Sequence, residues 1–199
     1  EDLMAVVDHL SPGEPTFVVG HSMGGAAIAF AASQNPGRFR SAWAFEPILF
    51  PFIAGVQSSS LSEGAKRRRA DFDSRDQAFD NYAAKPPLSI LRRDALRHYV
   101  DHGFDDRAGG GVTISCRPDI ESQVFENAAC GGDEAAAAVD MPFALAAGSD
   151  GEGPGDLART VAPTAEKLSL IELDLTHFGP LEDPVLVAGS IRSWFGTPS

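Results

Sequence analysis

The stretch "TFVVGHSMGGAAIAFAASQNPG" (16–37) constrains the chain more than any other. Its opening, "TFVVG", is a short, continuous apolar run rich in β-branched residues, as a parallel strand buried on both faces requires. Its second half is small and helix-favouring, and "NPG" stops it, because Pro36 disfavours helix at Asn35 and Gly37 can turn left-handed. Ser22 stands between these halves, within Gly20-His21-Ser22-Met23-Gly24. A chain leaving a strand and entering a helix at once must turn sharply, and the residue at the apex holds its side chain clear of the sheet. The pattern predicts that neither flanking glycine, Gly20 nor Gly24, has room for a side chain. It makes Ser22 a candidate nucleophile, with the N-terminus of the following helix favouring negative charge beside it.

The same rhythm runs on either side. Leu3, Val6, Val7 and Leu10 lie at helical spacing in residues 2–10, and "SPGEP" ends that helix. "SAWAFEP" (41–47), "PFALAAG" (142–148) and "LSLIELD" (168–174) read as further strands. Residues 156–167, interrupted at Pro163, and 183–195 read as helices. Helices alternating with strands predict an α/β fold with a mostly parallel sheet. Residues 50–138 break the rhythm. They carry helical segments such as "SRDQAFDNYAA" and "LRRDALRHYVDHG", and only a weak strand signal, "GVTISC" (111–116). The expected organisation is a core of residues 1–49 and 139–199 with a mainly helical insertion at 50–138.

A serine hydroxyl needs a base to take its proton. Five histidines are available. His9 lies on the first helix. His21 adjoins Ser22 and is expected to point away and shape the site by packing. His98 and His102 have the i,i+4 spacing of helix-borne metal ligands, but no third ligand is near, so a solvated helix face is the expectation. His177, in "DLTHFGPLEDP", follows the last strand and can reach a serine at the same sheet end. An imidazole in that role needs an orienting carboxylate. Asp150, in "AAGSDGEG" just past the preceding strand, is the first choice; Glu46, after "SAWAF", is next, with Glu152 and Asp174 as competitors.

Composition narrows the partners. The 199 residues are 43% hydrophobic and 22% charged, enough for a sizeable core. The net charge of −12 argues against nucleic acid and against anionic lipid, and favours a neutral or apolar small molecule. No apolar run approaches the roughly 18 residues of a membrane span. "EDLMAVVDHL" has no basic segment of a secretion signal. Cys116 and Cys130 form no metal-like pair and read as two idle thiols in a reducing, cytoplasmic setting.

"VVGHSMGG", "FEPILFP", "AAGSDGEG" and "HFGPLEDP", in that order, resemble the α/β-hydrolase superfamily, and in particular small serine hydrolases with a helical cap inserted after the strand that follows the elbow. The resemblance covers essentially the whole chain and implies an α/β-hydrolase fold. It implies Ser22 as nucleophile, Asp150 as acid, His177 as base and the Met23 backbone N–H as one oxyanion donor. The expected reaction is hydrolysis of an ester-like carbonyl through an acyl-enzyme, with no metal or organic cofactor. C–C bond hydrolysis or acyl transfer by the same residues, and a non-catalytic binding protein of the same fold, are the alternatives. Such proteins carry several strands before the elbow, so the chain reads as N-terminally incomplete, without the HG-type loop that supplies a second oxyanion donor. The cap is expected to shape an apolar pocket, with Phe50, Phe52, Phe72, Phe79 and Tyr82 as candidate lining.

Overall fold

A computed structural model of the chain describes residues 1–52, 60–149 and 153–196. Contacts divide it into two compact units: Glu1–Phe52 with Ala129–Ser199, and Ile53–Ala128.

In the first unit, α1 (Asp2–Leu10) leads into β1 (Thr16–His21), α2 (Met23–Gln34) and β2 (Phe39–Phe45). α2 ends where Asn35 Nδ2 donates to the Ala31 carbonyl at 2.8 Å, and Gly37 then turns at φ +76°. The second unit holds α3 (Ser60–Lys66), β3 (Asp71–Phe72), α4 (Arg75–Ala83), α5 (Arg93–His102), β4 (Phe104–Asp106), β5 (Val112–Ile114) and α6 (Pro118–Glu126). The first unit resumes with α7 (Gly132–Ala137), β6 (Phe143–Ala147), α8 (Pro154–Val161), β7 (Leu168–Glu172), α9 (Gly179–Glu182) and α10 (Pro184–Phe195). The helix expected over 156–167 thus ends at Val161, and Ala162–Thr164, containing Pro163, tightens into a 3-10 turn.

The sheet of the first unit is parallel throughout, in the order β1-β2-β6-β7. Period-two alternation sorts its side chains between two faces. Phe143, Leu145 and Ala147 join Ile28, Ala29 and Val161 on one side, while Ala144 and Ala146 join Trp43, Phe45, Leu175 and Val187 on the other. The small side chains of α2 let it lie close on the sheet, and Ala29 and Ala32 are buried there. Two indole N–H groups on the α10 side are satisfied: Trp43 donates to Ser190 Oγ at 3.2 Å and Trp194 to Ser41 Oγ at 2.9 Å. β1 is an edge strand, and Phe17 and Val19 on it are 47% and 51% exposed. α10 is buried only in part. Val187 is buried, but Val185 and Leu186 face solvent.

Helices make up most of the described residues of the second unit, and short strands accompany them. β3, β5 and β4 form a small antiparallel sheet, of which only β5 has a sequence signal. β3 and β4 are two and three residues long, too short to display a period. Phe72, Tyr82, Tyr99 and Phe104 pack ring against ring beside them, with centroids 5.7–6.2 Å apart. Phe72, Phe79 and Tyr82 are therefore buried within this unit, whereas Phe50 and Phe52 of the first unit are exposed.

Phe143 is fully buried in the central part of the larger sheet. Phe143→Ala is expected to cost about 3–5 kcal/mol of unfolding free energy, read as a shift of the urea midpoint at unchanged slope.

Candidate active site

The parallel register decides which residues meet. His21 of β1 lies opposite Phe45 of β2, and Phe45 lies opposite Ala146 of β6. The next residues along, Ser22 and Glu46 just past their strands and Ala147 at the end of β6, therefore share one row at the carboxyl edge of the sheet. The ladder continues into that row: the Ser22 N–H donates to the Phe45 carbonyl at 3.0 Å, and the Glu46 N–H to the Ala146 carbonyl at 2.7 Å. Both residues then leave the extended conformation with positive φ, +55° at Ser22 and +43° at Glu46. No other non-glycine among the described residues does so. Each is costly for a side-chain-bearing residue and persists because the surroundings over-determine it. The Ser22 carbonyl, for its part, accepts from the N–H groups of Gly25, Ala26 and Ile48 at 3.1–3.3 Å.

The glycines around the turn divide differently from expectation. A Cβ on Gly20 would stand 2.7 Å from the Gly25 nitrogen and from Ile28, so that glycine is obligatory. A Cβ on Gly24 would meet nothing within 4 Å. Gly25 is the tight position, where a Cβ would fall 2.7 Å from Pro47 and 2.9 Å from Ala44. The requirement lies on the glycine whose face of α2 meets β2, one residue beyond the motif.

His177 comes from the loop after β7, which is tied to the end of β6. The Leu173 N–H donates to the Ala147 carbonyl at 2.9 Å, and the Ser149 N–H donates to the Leu175 carbonyl at 2.8 Å. The Thr176 hydroxyl bonds the Glu182 carboxylate of α9 and also accepts from the Phe178 N–H at 3.3 Å. The imidazole then lies between two groups. Its Nε2 is 3.2 Å from Ser22 Oγ, and its Nδ1 is 2.6 Å from Glu46 Oε2. The remaining carboxylate oxygen of Glu46 accepts the Gly148 N–H at 2.8 Å.

Glu46 is wholly buried. Burial alone would push its carboxyl group up, but the hydrogen bond from His177, the Gly148 N–H and the positive charge that His177 can carry together hold it below the usual glutamate range. Two glycines make room for it: a Cβ on Gly148 or on Gly155 would stand 2.7 or 2.8 Å from Glu46 Oε1. His21 is held below the usual histidine range, chiefly by burial. Its Nε2 lies 2.8 Å from the His177 backbone oxygen, which can only accept, so the Nε2 of His21 carries a proton.

Ser22 and His177 are thus brought together as the sequence predicts, and Glu46, its second choice of acid, sits against the imidazole. Asp150 and Glu152 lie outside the described residues. Asp174 instead accepts from the Ser149 hydroxyl at 2.8 Å. Met23 opens α2, where its N–H has no acceptor within the helix and stands directly beside Ser22. His21 does not merely pack; it bonds the main chain of His177, a contact with no local sequence signal. His98 and His102 stack on each other on the exposed side of α5, and no group of three or more metal-ligating side chains occurs among the described residues. Cys116 and Cys130 are both exposed. No helix among the described residues is long and apolar enough to cross a membrane.

Two outcomes follow from this geometry. Gly25→Ala should destabilise the fold by more than 1 kcal/mol, roughly the scale of a core overpacking, while Gly24→Ala stays near wild type; thermal denaturation of the pair reads the difference. Because the Glu46 carboxyl is held low in the folded state, its contribution to stability is complete above the ordinary glutamate range and is lost as pH falls through the folded value. Urea unfolding between pH 7 and pH ~3.5 should therefore show a shallower acid loss in Glu46→Gln than in wild type.

A model of the alpha/beta hydrolase fold family matches residues 1–101. No curated protein matches the sequence. Among solved structures, E-2-(acetamidomethylene)succinate hydrolase superposes with a TM-score of 0.72 and 18% identity, over 98% of this chain and 71% of that one. The peroxisomal alpha-beta-hydrolase Lpx1 of Saccharomyces cerevisiae gives 0.74 and 16%, over 98% and 57%. The M. tuberculosis esterase Rv0045c gives 0.69 and 17%, over 98% and 67%. The chain thus spans between 57% and 71% of the length of these three structures.

Proposed function

The chain belongs to the alpha/beta hydrolase fold family, and from that premise we propose that it is a serine hydrolase that cleaves an ester-like carbonyl through an acyl-enzyme on Ser22. The observation that carries the proposal is the contact series Ser22 Oγ, His177 Nε2 and Nδ1, Glu46 Oε2, at 3.2 and 2.6 Å, with the serine presented by a strained strand-to-helix turn.

His177 Nε2 takes the Ser22 proton as the oxygen attacks the carbonyl carbon. The carbonyl π pair moves onto oxygen, where the Met23 N–H and the helix N-terminus meet the developing charge. The imidazolium is stabilised by the ionised Glu46 carboxylate, which also fixes the ring so that Nε2 faces the serine. The tetrahedral species collapses when His177 Nε2–H protonates the leaving alkoxide, leaving an acyl group on Ser22. A water then gives its proton to His177, attacks the acyl carbon, and releases the acid as Ser22 recovers its proton. With a net charge of −12, a neutral or apolar substrate approaches without repulsion.

Glu46 is the acid this reading favours, since its carboxylate contacts Nδ1. A fluorophosphonate probe should label the protein at Ser22, and Ser22→Ala should abolish labelling. A folded wild-type protein that is neither labelled nor able to turn over p-nitrophenyl esters sinks the proposal. Glu46→Gln should lower ester turnover by about 10⁴-fold. If Asp150→Asn instead causes the larger loss, the acid is Asp150 and the Glu46 assignment fails.

A further inference from the structure

His21 is expected from its sequence position to pack beside the nucleophile and do no more. It is instead tied to the base. We propose that His21 is a positioning residue that holds His177 against Ser22 through its Nε2–H···O=C hydrogen bond to the His177 backbone. The inference rests on the serine-hydrolase reading for its kinetic consequence, though not for its geometry.

The geometry is local and specific. His21 is the last residue of β1, one position before the nucleophile, and so moves with the same strand end as Ser22. Its Nε2 lies 2.8 Å from the carbonyl oxygen of His177, 156 residues away in the chain. The two rings stand 4.9 Å apart at 41°, and the His21 ring also lies 6.0 Å from that of Phe45, centroid to centroid. One hydrogen bond therefore couples the serine's strand directly to the backbone of the base. The loop is also restrained from β6 and α9, by the bonds of Leu173 and Leu175 at one end and the Thr176–Glu182 pair at the other, and at the imidazole by Glu46. The same strand end thus carries both the Ser22 Oγ that His177 Nε2 approaches at 3.2 Å and the ring that bonds the His177 main chain.

The charge state suits the task. Among the described residues, the titratable groups whose charge acts on His21 are His177 and Glu46. Burial, opposed by the hydrogen bond to the His177 carbonyl, keeps His21 low, and a protonated His177 lowers it further while Glu46 raises it. The two imidazoles resist being cationic together. His21 can therefore remain a neutral donor while His177 takes up and returns a proton. A lysine or arginine at this position would provide the donor but place a fixed charge beside the base, opposing the imidazolium that the reaction forms.

The test uses two variants and two readouts. His21→Gln keeps an N–H donor at a similar reach and cannot titrate; His21→Leu keeps bulk and removes the donor. Nitrogen-15 spectra of histidine-labelled protein report tautomer and charge without reference to catalysis. They should show wild-type His21 neutral and protonated on Nε2 at neutral pH. The His177 ring signals should hold their wild-type positions in His21→Gln and shift in His21→Leu. In parallel, fluorophosphonate labelling of Ser22 should slow about 10–100-fold in His21→Leu and recover to within about threefold in His21→Gln. The KM for a p-nitrophenyl ester should change little in either. A wild-type His21 protonated only on Nδ1 overturns the proposal. So does a His21→Leu protein with unshifted His177 signals and wild-type labelling. If the wild type is not labelled, the hydrolase reading fails, and the His177 signals in the two variants still decide whether His21 holds the loop.

Discussion

A carboxylate with no solvent exposure must be surrounded by donors, or its burial would cost several kcal/mol. Glu46 meets that demand with two: the imidazole N–H of His177 and the main-chain N–H of Gly148. Each donor belongs to a different part of the sheet's carboxyl edge, one from the loop after β7 and one from the end of β6. The buried charge therefore brings three segments to one point, and the fold around it is arranged to permit this. Gly148 and Gly155 are bare where a side chain would strike the carboxylate, and the backbone at Glu46 is bent into a positive-φ conformation to aim it. Removing His177 would leave a buried anion with one donor fewer. Removing Glu46 would leave the imidazole without its orienting partner.

The parallel register turns this local demand into a site. Ser22 and Glu46 become neighbours because β1 and β2 pair so that their last residues are level, and Gly148 comes within reach because β6 pairs beside β2 and ends one residue further along. Nothing in the serine's own segment specifies Glu46. The sheet does so by bringing two strand ends together, and the small residues of α2 let the helix after the serine lie flat enough for the turn to stay tight. Packing on the sheet faces and chemistry at the sheet edge are thus consequences of one arrangement of backbone hydrogen bonds.

Much of this was legible in the sequence. The strands β1, β2, β6 and β7 and the helices α1, α2, α4, α5 and α10 announce themselves by apolar runs, helical spacing and stop signals, and Ser22 and His177 by their places just after strands. Other features depend on geometry that no local pattern carries. Glu46 ranked second because its aim depends on a positive φ at the residue itself, although a lone carboxylate inside the apolar run "SAWAFEPILF" is a signal that a charge will be buried there. Gly25 looks like one more small residue until Ala44 and Pro47 are placed against it. The contact of His21 with the His177 main chain spans 156 residues and needs the tertiary fold to exist at all.

The two positive-φ residues have a bearing on how such a protein can change. Glycine is the residue that backbone geometry alone would choose at positions 22 and 46, since each strained conformation costs on the order of 1–3 kcal/mol for other residues. Selection for stability would therefore push toward discarding the serine and the glutamate, and selection for the proposed chemistry toward keeping them. If Ser22 and Glu46 act as proposed, the groups the reaction needs stand where the fold is least comfortable, so drift toward a sturdier scaffold and loss of the reaction would lie along the same mutational path.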